Sequence, residues 1–381
     1  MTQRKTRSRE GWTRVRFGDV VRLSGERCTD PLGAGIERYV GLEHLEPGDL
    51  RIRSCGNVAD GVTFTNRFRP GQVLFGKRRA YQRKVAVADF DGICSSDIYV
   101  FEPSDDRLLP ELLPFICQTD GFFEHALKTS AGSLSPRTNW TSLSDYEFDL
   151  PPAEEQRRIT HVIEATRAVR ESTSNAISSS RLARAALAKE AGEGRFGDCR
   201  IHRIDELVHR MQYGVSVRPE PAGGIPILRM GNLVDGIVDA TDIKYAATSD
   251  INPERDLLRH GDVLFNRTNS IDLVGKAAIF SLEGEWAFAS YLVRLIPRTE
   301  LMLPEYLVTL INCAPIRSRI LATATKGVSQ ANINTKNLGA VEVPVPSIDH
   351  QRRLVKVFAD CRDTEEQLAA RLNAIPDAVQ L

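Results

Sequence analysis

The sequence lacks the features that would place it in a membrane or outside the cell. No apolar run approaches the roughly 18 residues of a membrane-spanning helix, and no apolar signal core follows the basic start of the chain. The seven cysteines are odd in number, widely scattered and include no C-x-x-C pair. These absences predict a soluble cytoplasmic protein with free thiols and no zinc site.

Neither sign of charge is in excess. Lys and Arg together number 50, as do Asp and Glu, so the formal net charge is zero. With 42% hydrophobic and 26% charged residues, the composition excludes a disordered or fibrous chain. A length of 381 residues predicts two or three domains. The charge total gives no sign of nucleic-acid binding, so any such sign must be local.

Catalytic patterns fail on their context. Residues 192–197 fit G-x-G-x-x-G but follow a helical run, whereas a dinucleotide fingerprint follows a strand. Residues 71–77 fit a phosphate-binding loop, yet Arg78 replaces the Ser or Thr that would hold magnesium. H-E-x-x-H and G-x-S-x-G are absent. We therefore expect no catalytic residue, no metal site and no cofactor bound by this chain.

The chain contains an internal repeat. Residues 132–159 align without gaps with residues 327–354, which lie 195 positions later. Earlier in each copy, Gly71-Gln72-Val73-Leu74-Phe75 corresponds to Gly261-Asp262-Val263-Leu264-Phe265. Each copy mixes short β-rich runs with Gly, Pro and Asn punctuation and one helical stretch, which predicts a compact α/β globule. The sequence is thus two related copies of one module.

Each globule ends at prolines that precede a long proline-free run with acidic residues near its start, a pattern typical of a helix start. Apolar and small residues recur every three or four positions in both runs. The predicted seam comprises Ile159, Ile163, Thr166, Val169, Thr173, Ala176, Ser180, Ala183 and Leu187 in the first run, and Leu354, Val357, Cys361, Thr364, Leu368, Leu372 and Ile375 in the second. Because such small side chains bury little area, each helix is predicted to need the other as its partner. The alternative is two ordinary helices, each packed on its own globule.

These patterns predict an α+β protein with two homologous α/β domains, each followed by a long helix with a coiled-coil-like seam. The predicted segments are a basic flexible tail (1–10), a first globular domain (11–152), a first long helix (153–191), a second globular domain (192–346) and a second long helix (347–376).

Positive charge is concentrated locally. Residues 67–84 contain seven basic residues and no acidic one, and residues 125–144 and 306–341 are free of acid. Arg and Lys neutralise phosphates, while Asn and Arg can pair with adenine and guanine. We predict that DNA is bound by Lys77, Arg78, Arg79, Tyr81, Arg83, Lys84, Arg137, Asn139 and Trp140 in the first copy, and by Asn266, Arg267, Thr268, Asn269, Ser270, Lys276, Lys326, Gln330, Asn332 and Asn334 in the second. The alternative is a solvated basic face and a polar turn.

Several motifs together resemble the specificity subunits of type I restriction-modification systems. They are GKRRAYQRKVAVADFDGICSSDI (76–98), GSLSPRTNW (132–140), PPAEEQRRI (151–159), FNRTNSIDLVGKA (265–277) and SQANINTKNL (329–338). The resemblance covers nearly the whole chain, and the motifs fall in the order expected. The second copy departs from the helix-start motif at residues 347–350 but keeps Gln351-Arg352-Arg353.

The resemblance implies that each globule reads one half of a split, asymmetric site on double-stranded DNA. It implies that the helices form an antiparallel spacer and dock two methyltransferase subunits, which carry S-adenosylmethionine, and that a motor-nuclease subunit using ATP and magnesium joins for restriction. The docking residues expected from it are Gln156, Arg157, Arg158, Ile159, Gln351, Arg352, Arg353 and Leu354. The chain itself would have no active site. The alternatives are a stand-alone methyltransferase or nuclease with duplicated recognition domains, and a coiled-coil scaffold that no longer reads DNA.

Overall fold

A computed structural model describes residues 11–132, 135–218, 220–270, 273–326 and 330–375. The chain divides into two compact units, one containing the chain up to Ser172 with the residues from Asn373 onward, the other comprising Thr173–Leu372. The predicted mixture of helices and short strands is confirmed. No helix in the described ranges is both long and apolar enough to cross a membrane. The predicted basic tail, residues 1–10, lies outside the described residues.

The first unit is built mainly from short strands. These are β1 (Thr13–Arg16), β2 (Val21–Leu23), β3 (Arg38–Val40), β4 (Gly56–Asn57), β5 (Asn66–Phe68), β6 (Val73–Gly76), β7 (Val85–Val87), β8 (Gly92–Cys94), β9 (Ile98–Pro103) and β10 (Glu147–Leu150). The helices are α1 (Phe17–Val20), α2 (Leu113–Ile116), α3 (Asp120–Lys128), α4 (Trp140–Ser144) and the first part of α5 (Ala153–Gly192).

The second unit follows the same plan with additional short strands. They are β11 (Arg200–Arg203), β12 (Val208–Tyr213), β13 (Ile225–Leu228), β14 (Leu233–Val234), β15 (Ile237–Val238), β16 (Lys244–Ala246), β17 (Val263–Asn266), β18 (Thr268–Asn269), β19 (Ala277–Ile279), β20 (Ala287–Phe288), β21 (Leu292–Pro297), β22 (Thr325–Lys326), β23 (Ala331–Asn332) and β24 (Glu342–Val345). Its other helices are α6 (Pro253–Asp256), α7 (Pro304–Asn312), α8 (Ala314–Ala322), α9 (Thr335–Gly339) and α10 (Ile348–Ala374).

The two units repeat one set of strand pairings. The order β2-β9-β6-β7 in the first unit recurs as β12-β21-β17-β19 in the second, where β15 and β14 extend the sheet. The parallel pair β3/β8 recurs as β13/β20, and the antiparallel pair β1/β10 recurs as β11/β24. In the second unit β18, β23 and β22 form a further small sheet. The internal repeat in the sequence is therefore also a repeat in topology.

The central strand of each unit is buried on both faces. In β6, Val73 and Phe75 pack into the cluster that contains the aromatic residues of α3, while Leu74 points into a separate cluster on the opposite face. In β17, Val263 and Phe265 likewise pack into one cluster, while Leu264 packs into a separate cluster on the opposite face. Successive side chains of a strand point to opposite faces, so a continuous apolar run is what a two-sided burial requires.

The long helices begin and end within two residues of their predicted positions. α5 spans 40 residues and starts directly after Pro151-Pro152 with Glu154 and Glu155 in its first turn. α10 spans 27 residues and starts two residues after Pro346. In the second unit, Ala191 of α5 lies in one core cluster with Leu354 and Phe358 of α10.

The predicted seam is partly wrong in register. Val169 and Val357 are 54% and 42% exposed, and Ala176, Ala183 and Thr364 also face solvent. The less exposed side chain lies one position later in each case: Ile177, Phe358 and Glu365 are buried, and Arg170 and Arg184 are half-buried. The spacing of apolar and small residues does not reveal this register, because three of these positions hold two arginines and a glutamate, whose partners are distant in sequence.

A buried glutamine anchors each long helix to its own unit. The Gln156 side chain is fully buried, and its Oε1 accepts a hydrogen bond from Leu109 N at 2.8 Å. Its Nε2 donates to the carbonyls of Arg107 (2.6 Å) and Pro151 (2.8 Å).

Gln351 repeats this arrangement in the second unit. It is also fully buried, it accepts from Leu303 N at 2.9 Å, and it donates to the carbonyls of Leu301 (2.9 Å) and Pro346 (3.0 Å). Each glutamine therefore links the first turn of a long helix to the loop before α2 or α7 and to the proline step.

A second buried polar contact joins α5 and α10 within the second unit. Glu365 accepts hydrogen bonds from Ser180 Oγ (3.1 Å) and from Arg184 Nε (3.2 Å) and Nη2 (3.0 Å). Burial by itself would raise the pKa of Glu365, but the hydrogen bonds and positive charges of Arg184 and Arg181 lower it overall. Since Arg184 meets Glu365 while Ala191 meets the region of Phe358, the two helices run in opposite directions here.

We predict that Gln351→Leu lowers the free energy of unfolding by roughly 3 kcal/mol or more, because three buried backbone groups lose their partner at about 1–3 kcal/mol each. Urea titration of the full chain measures this. Arg353→Leu, an exposed change two residues later on the same helix, should stay within about 0.5 kcal/mol of the native protein. Equal stabilities for the two variants would contradict the anchoring role.

We predict that Glu365 contributes to acid sensitivity. A carboxylate whose folded pKa lies below its unfolded value of about 4.3 stabilises the fold fully above that pH, and the contribution is lost as the pH falls. The free energy of unfolding, measured from pH 7 to pH 3, should therefore decrease less steeply in Glu365→Gln than in the native protein. Glu366→Gln, at the exposed neighbouring position, serves as the control, and a native slope in Glu365→Gln would refute the assignment.

Candidate nucleic-acid interface

The same two loops meet in both units. After β6, Lys77 O accepts a hydrogen bond from Thr138 N at 2.9 Å, and after β17, Arg267 O accepts one from Ile333 N at 2.9 Å. The backbone amides of the same two residues also have equivalent acceptors. Lys77 N donates to Asp97 O and Arg267 N donates to Tyr291 O, both at 3.0 Å. The repeat thus builds one backbone junction twice and brings the predicted loops of each copy together.

In the first unit this junction is organised around Asp97. Arg78 Nη1 lies 3.2 Å from Asp97 Oδ2, and Arg137 Nη2 lies 3.1 Å from Asp97 Oδ1. Arg78 Nε also donates to Ser135 Oγ at 2.7 Å. One carboxylate therefore sets the positions of two guanidinium groups that are far apart in the sequence.

The residues around this pair differ in exposure. The Lys77 ammonium lies 4.5 Å from the centre of the Tyr99 ring, and burial together with the charge of Arg137 lowers the pKa of Lys77. Arg79 is exposed with a φ of 54°, and Tyr81 is 55% exposed. This side of the junction therefore presents cations and an aromatic ring to solvent.

Two predicted DNA-binding residues of the first copy are engaged inside the unit. Arg83 donates to Asp120 Oδ1 (2.6 Å) and to Gln118 O (2.8 Å), and it lies over the Phe123 ring. Lys84 Nζ donates to Leu42 O at 2.6 Å. Their assignment to DNA stays a prediction, and both side chains have hydrogen-bond partners within the same unit.

Trp140, Asn139 and Asn334, which are also predicted to bind DNA, make contacts within their own units. Trp140 packs in the core against Phe17 and Phe101, with ring centres 6.1 and 5.7 Å away. Asn139 caps α4 by accepting from Ser142 N at 2.8 Å, and Asn334 caps α9 by accepting from Asn337 N at 2.7 Å. These side chains help to fix the short helix beside each junction, and their assignment to DNA binding stays a prediction.

In the second unit Arg267 is the centre of the junction. Its Nη2 donates to Asn332 Oδ1 at 2.9 Å, and Asn332 Nδ2 donates to Thr268 Oγ1 at 3.0 Å. The guanidinium lies 4.7 Å from the centre of the Tyr213 ring. Within the described residues Arg267 Nε is buried without a hydrogen-bond partner. The predicted residues of the two loops therefore meet in the small sheet of β18, β23 and β22.

The remaining predicted residues of the second copy fall into different places. Asn266 is 1% exposed and donates to Leu273 O, which removes it from any surface. Asn269 accepts from Ser270 N at 2.8 Å, and both are half-buried. Gln330 is exposed.

Of the two predicted lysines, Lys326 lies on β22 of the small sheet, whereas Lys276 lies elsewhere. Lys276 lines a cavity beside α5 and α10 within the second unit, away from the hydrogen bonds that join Arg267 to Asn332. The side chain of Lys326 lies outside the described part of the structure.

Sequence reasoning missed Asp97 and Tyr213. Asp97 follows a serine that recurs in the second copy, but an acidic residue carries no signal of DNA binding by itself. Tyr213 lies on β12, far in sequence from Arg267, and its hydroxyl accepts from Thr335 N at 3.1 Å. Tyr213 is 42% exposed, so part of this residue reaches solvent.

The predicted docking residues divide into two groups. Gln156, Gln351 and Leu354 are buried and Ile159 is half-buried, so the first three side chains are corrected to structural roles. The exposed residues are Arg157, Arg158, Arg352 and Arg353.

No group of three or more His, Cys, Asp or Glu side chains that could hold a metal ion occurs in the described ranges.

The chain is similar to known proteins of one kind. Residues 9–178 match the family model of the type I restriction modification DNA specificity domain. The EcoDI specificity subunit of Escherichia coli is 28% identical over 155 residues, covering 40% of this chain and 34% of that protein. The EcoKI specificity subunit of Escherichia coli K12 is 25% identical over 308 residues, covering 71% and 65%. These alignments span between about a third and two thirds of the relatives' own length.

Solved structures share the fold. The HsdS subunit from Thermoanaerobacter tengcongensis superposes with a TM-score of 0.53 at 24% identity, covering 100% of this chain and 98% of that one. The type I restriction-modification S subunit from M. genitalium superposes with a TM-score of 0.59 at 14% identity, covering 97% and 94%. The resemblance to type I specificity subunits that the motifs predict is confirmed by these matches together.

Proposed function

We propose that this relative of type I specificity subunits is the DNA-recognition subunit of a restriction-modification complex, in which each unit reads one half of a bipartite, asymmetric site. The observation that carries the proposal is the repeated junction, which has one backbone plan but different side chains in the two units. A common scaffold with different reading residues is what an asymmetric pair of half-sites requires.

In the first unit the proposed contacts are electrostatic and bidentate. Arg78 uses Nε for Ser135 and Nη1 for Asp97, so its Nη2 has donors left for DNA. Arg137 is similarly held at one nitrogen, and Arg79 and Tyr81 extend the surface. Arginines positioned by a carboxylate can present their remaining donors to phosphate or to the O6 and N7 atoms of guanine.

In the second unit the proposed base reader is Arg267. Its guanidinium is held by the amide of Asn332 at one nitrogen and by the Tyr213 ring on one face, so little rotamer freedom is lost when it binds. Tyr213 is a new member of this proposed site. Thr268 and Asn332 fix the position of Arg267, and Gln330 supplies a further exposed amide.

The long helices are proposed as the spacer between half-sites and as the docking surface for two methyltransferase subunits. The contact of Arg184 with Glu365 supports an antiparallel pair, and the exposed Arg157, Arg158, Arg352 and Arg353 are the proposed docking side chains. S-adenosylmethionine is assigned to the methyltransferase subunits, and ATP and magnesium to a motor-nuclease subunit. The chain is proposed to act in the cytoplasm and to have no activity alone.

Methylome sequencing of cells with and without this chain, with the partner methyltransferase present, tests the proposal. We expect methylated adenines at one two-part, asymmetric motif only when the chain is expressed. Purified chain mixed with DNA and methyl donor should give no methylation by itself. Turnover by the isolated chain, or a methylome that does not depend on it, would overturn the assignment.

We predict that Arg267→Ala relaxes the preference at one base of one half-site, because a bidentate arginine contact discriminates by about 1–3 kcal/mol. Arg267→Lys keeps the charge but loses the planar fork, so it should retain overall affinity without restoring the base preference. Competition binding with single-base variants of the motif measures both. A uniform loss over both half-sites in Arg267→Ala would contradict base reading by this residue.

We predict that shortening both helices changes the gap between half-sites. Deleting residues 172–178 and 366–372 removes seven residues from each helix while keeping Arg170, Ser180 and Glu365. Seven residues correspond to about 10 Å of helix, or about three base pairs. Methylome sequencing of the double-deletion variant should show the same half-sites with a shorter gap, and an unchanged gap would refute the spacer role.

A further inference from the structure

We propose that the second unit contains a binding site for a small phosphorylated ligand, in a cavity beside α5 and α10 that is separate from the proposed DNA-reading junction. The cavity has a volume of about 450 Å³. Its charged lining consists of Arg181, Arg184, Lys276, Arg317, Arg362 and one carboxylate, Asp235. Ligand pockets commonly measure about 300–1,000 Å³ and combine apolar walls with a few convergent polar groups.

The cations of the cavity are not all neutralised by the protein. Glu365 binds Arg184 at 3.0 Å and lies 3.7 Å from Arg181. Lys276 and Arg362, in contrast, have no hydrogen-bond acceptor or ion-pair partner among the described residues. Asp235 is the one carboxylate among the described residues that line the cavity.

The first unit contains two equivalent cations, Lys84 and Arg167, and both have hydrogen-bond acceptors there. Lys84 directly precedes β7 as Lys276 directly precedes β19, and these strands pair with β6 and β17 in the same register. Arg167 follows Gln156 by the same number of residues as Arg362 follows Gln351.

Backbone carbonyls supply the acceptors in the first unit. Lys84 Nζ donates to Leu42 O at 2.6 Å, and Arg167 donates to Gly48 O at 3.4 Å and to Gln118 Oε1 at 3.3 Å. The segment containing residues 42–48 therefore takes the place that an anion would occupy.

Among the described residues of the second unit, no segment supplies carbonyls to Lys276 and Arg362 in this way. Asn312, which corresponds to Gln118, uses its amide on the backbone of Ala277 instead, with both hydrogen bonds at 2.8–2.9 Å. The short turn between β14 and β15 contributes only Asp235 and Gly236 to the lining. Two cations that are matched by acceptors in one copy thus face an open cavity in the other.

The chemistry selects a compact anion with an apolar part. Lys276 and Arg362 supply donors for phosphate oxygens, since charge-assisted hydrogen bonds to phosphate are among the stronger polar contacts. Leu233, Val308 and Phe358 form an apolar wall of the same cavity. A nucleotide-like molecule, with phosphate at the cations and a ring on this wall, fits both features.

Isothermal titration calorimetry of the full chain with inorganic pyrophosphate tests the site at low ionic strength. We expect saturable binding of one pyrophosphate per chain, weakened about tenfold by Lys276→Gln and by Arg362→Gln, because each removes a charged donor. Lys356→Gln, at an exposed position of α10 outside the cavity lining, should bind like the native protein. Absence of saturable binding, or equal weakening in Lys356→Gln, would overturn the proposal.

A second titration with an unmodified DNA duplex separates a small ligand from backbone phosphate. We expect Lys276→Gln and Arg362→Gln to leave duplex affinity unchanged, whereas loss of DNA reading in Arg267→Ala should leave pyrophosphate binding unchanged. If the cavity variants weaken duplex binding and not pyrophosphate binding, the cations serve DNA and the small-ligand site is refuted. Failure of the proposed DNA function would leave the pyrophosphate result standing.

Discussion

The buried glutamine at the start of each long helix is the contact from which the rest of the structure follows. Gln156 and Gln351 each satisfy three backbone groups that come from two separate segments, and each is completely removed from solvent. A buried amide with all its partners in place sets both the position and the rotation of the helix that carries it. The rotation of α10 in turn decides that Phe358 and Glu365 face inward and that Val357 faces solvent.

In the candidate interface, the two units share their backbone contacts and differ in their side chains. Asn139 and Asn334 cap equivalent short helices, and Thr138 N and Ile333 N hold equivalent loops. On this common frame the first unit places two arginines around Asp97, and the second places one arginine between Asn332 and Tyr213. Differences between the units therefore lie in the side chains at the junction and in the segments that cover nearby cations, as at Lys84 and Lys276.

Much of the fold could be predicted from local patterns. The proline steps and acidic first turns located both long helices, and the repeated Val-Leu-Phe runs located the central strands. The two junctions were predictable at the level of loops, because residues 77–79, 137 and 267–270 lie at them. They were not predictable residue by residue. Arg83, Lys84 and Trp140 have the composition of a DNA-binding surface, yet their partners Asp120, Leu42 and Phe101 are supplied by distant parts of the chain.

By itself, the sequence determined that the protein is a repeated module with two long helices and locally concentrated positive charge. Periodicity, proline placement and charge runs are properties of neighbouring residues, so no three-dimensional information was needed to read them. Only the tertiary structure decided which charges remain available to a ligand. That outcome depends on whether a carbonyl or carboxylate from elsewhere in the chain reaches each cation, as Asp97 reaches Arg78 and Arg137, and as Glu365 reaches Arg184.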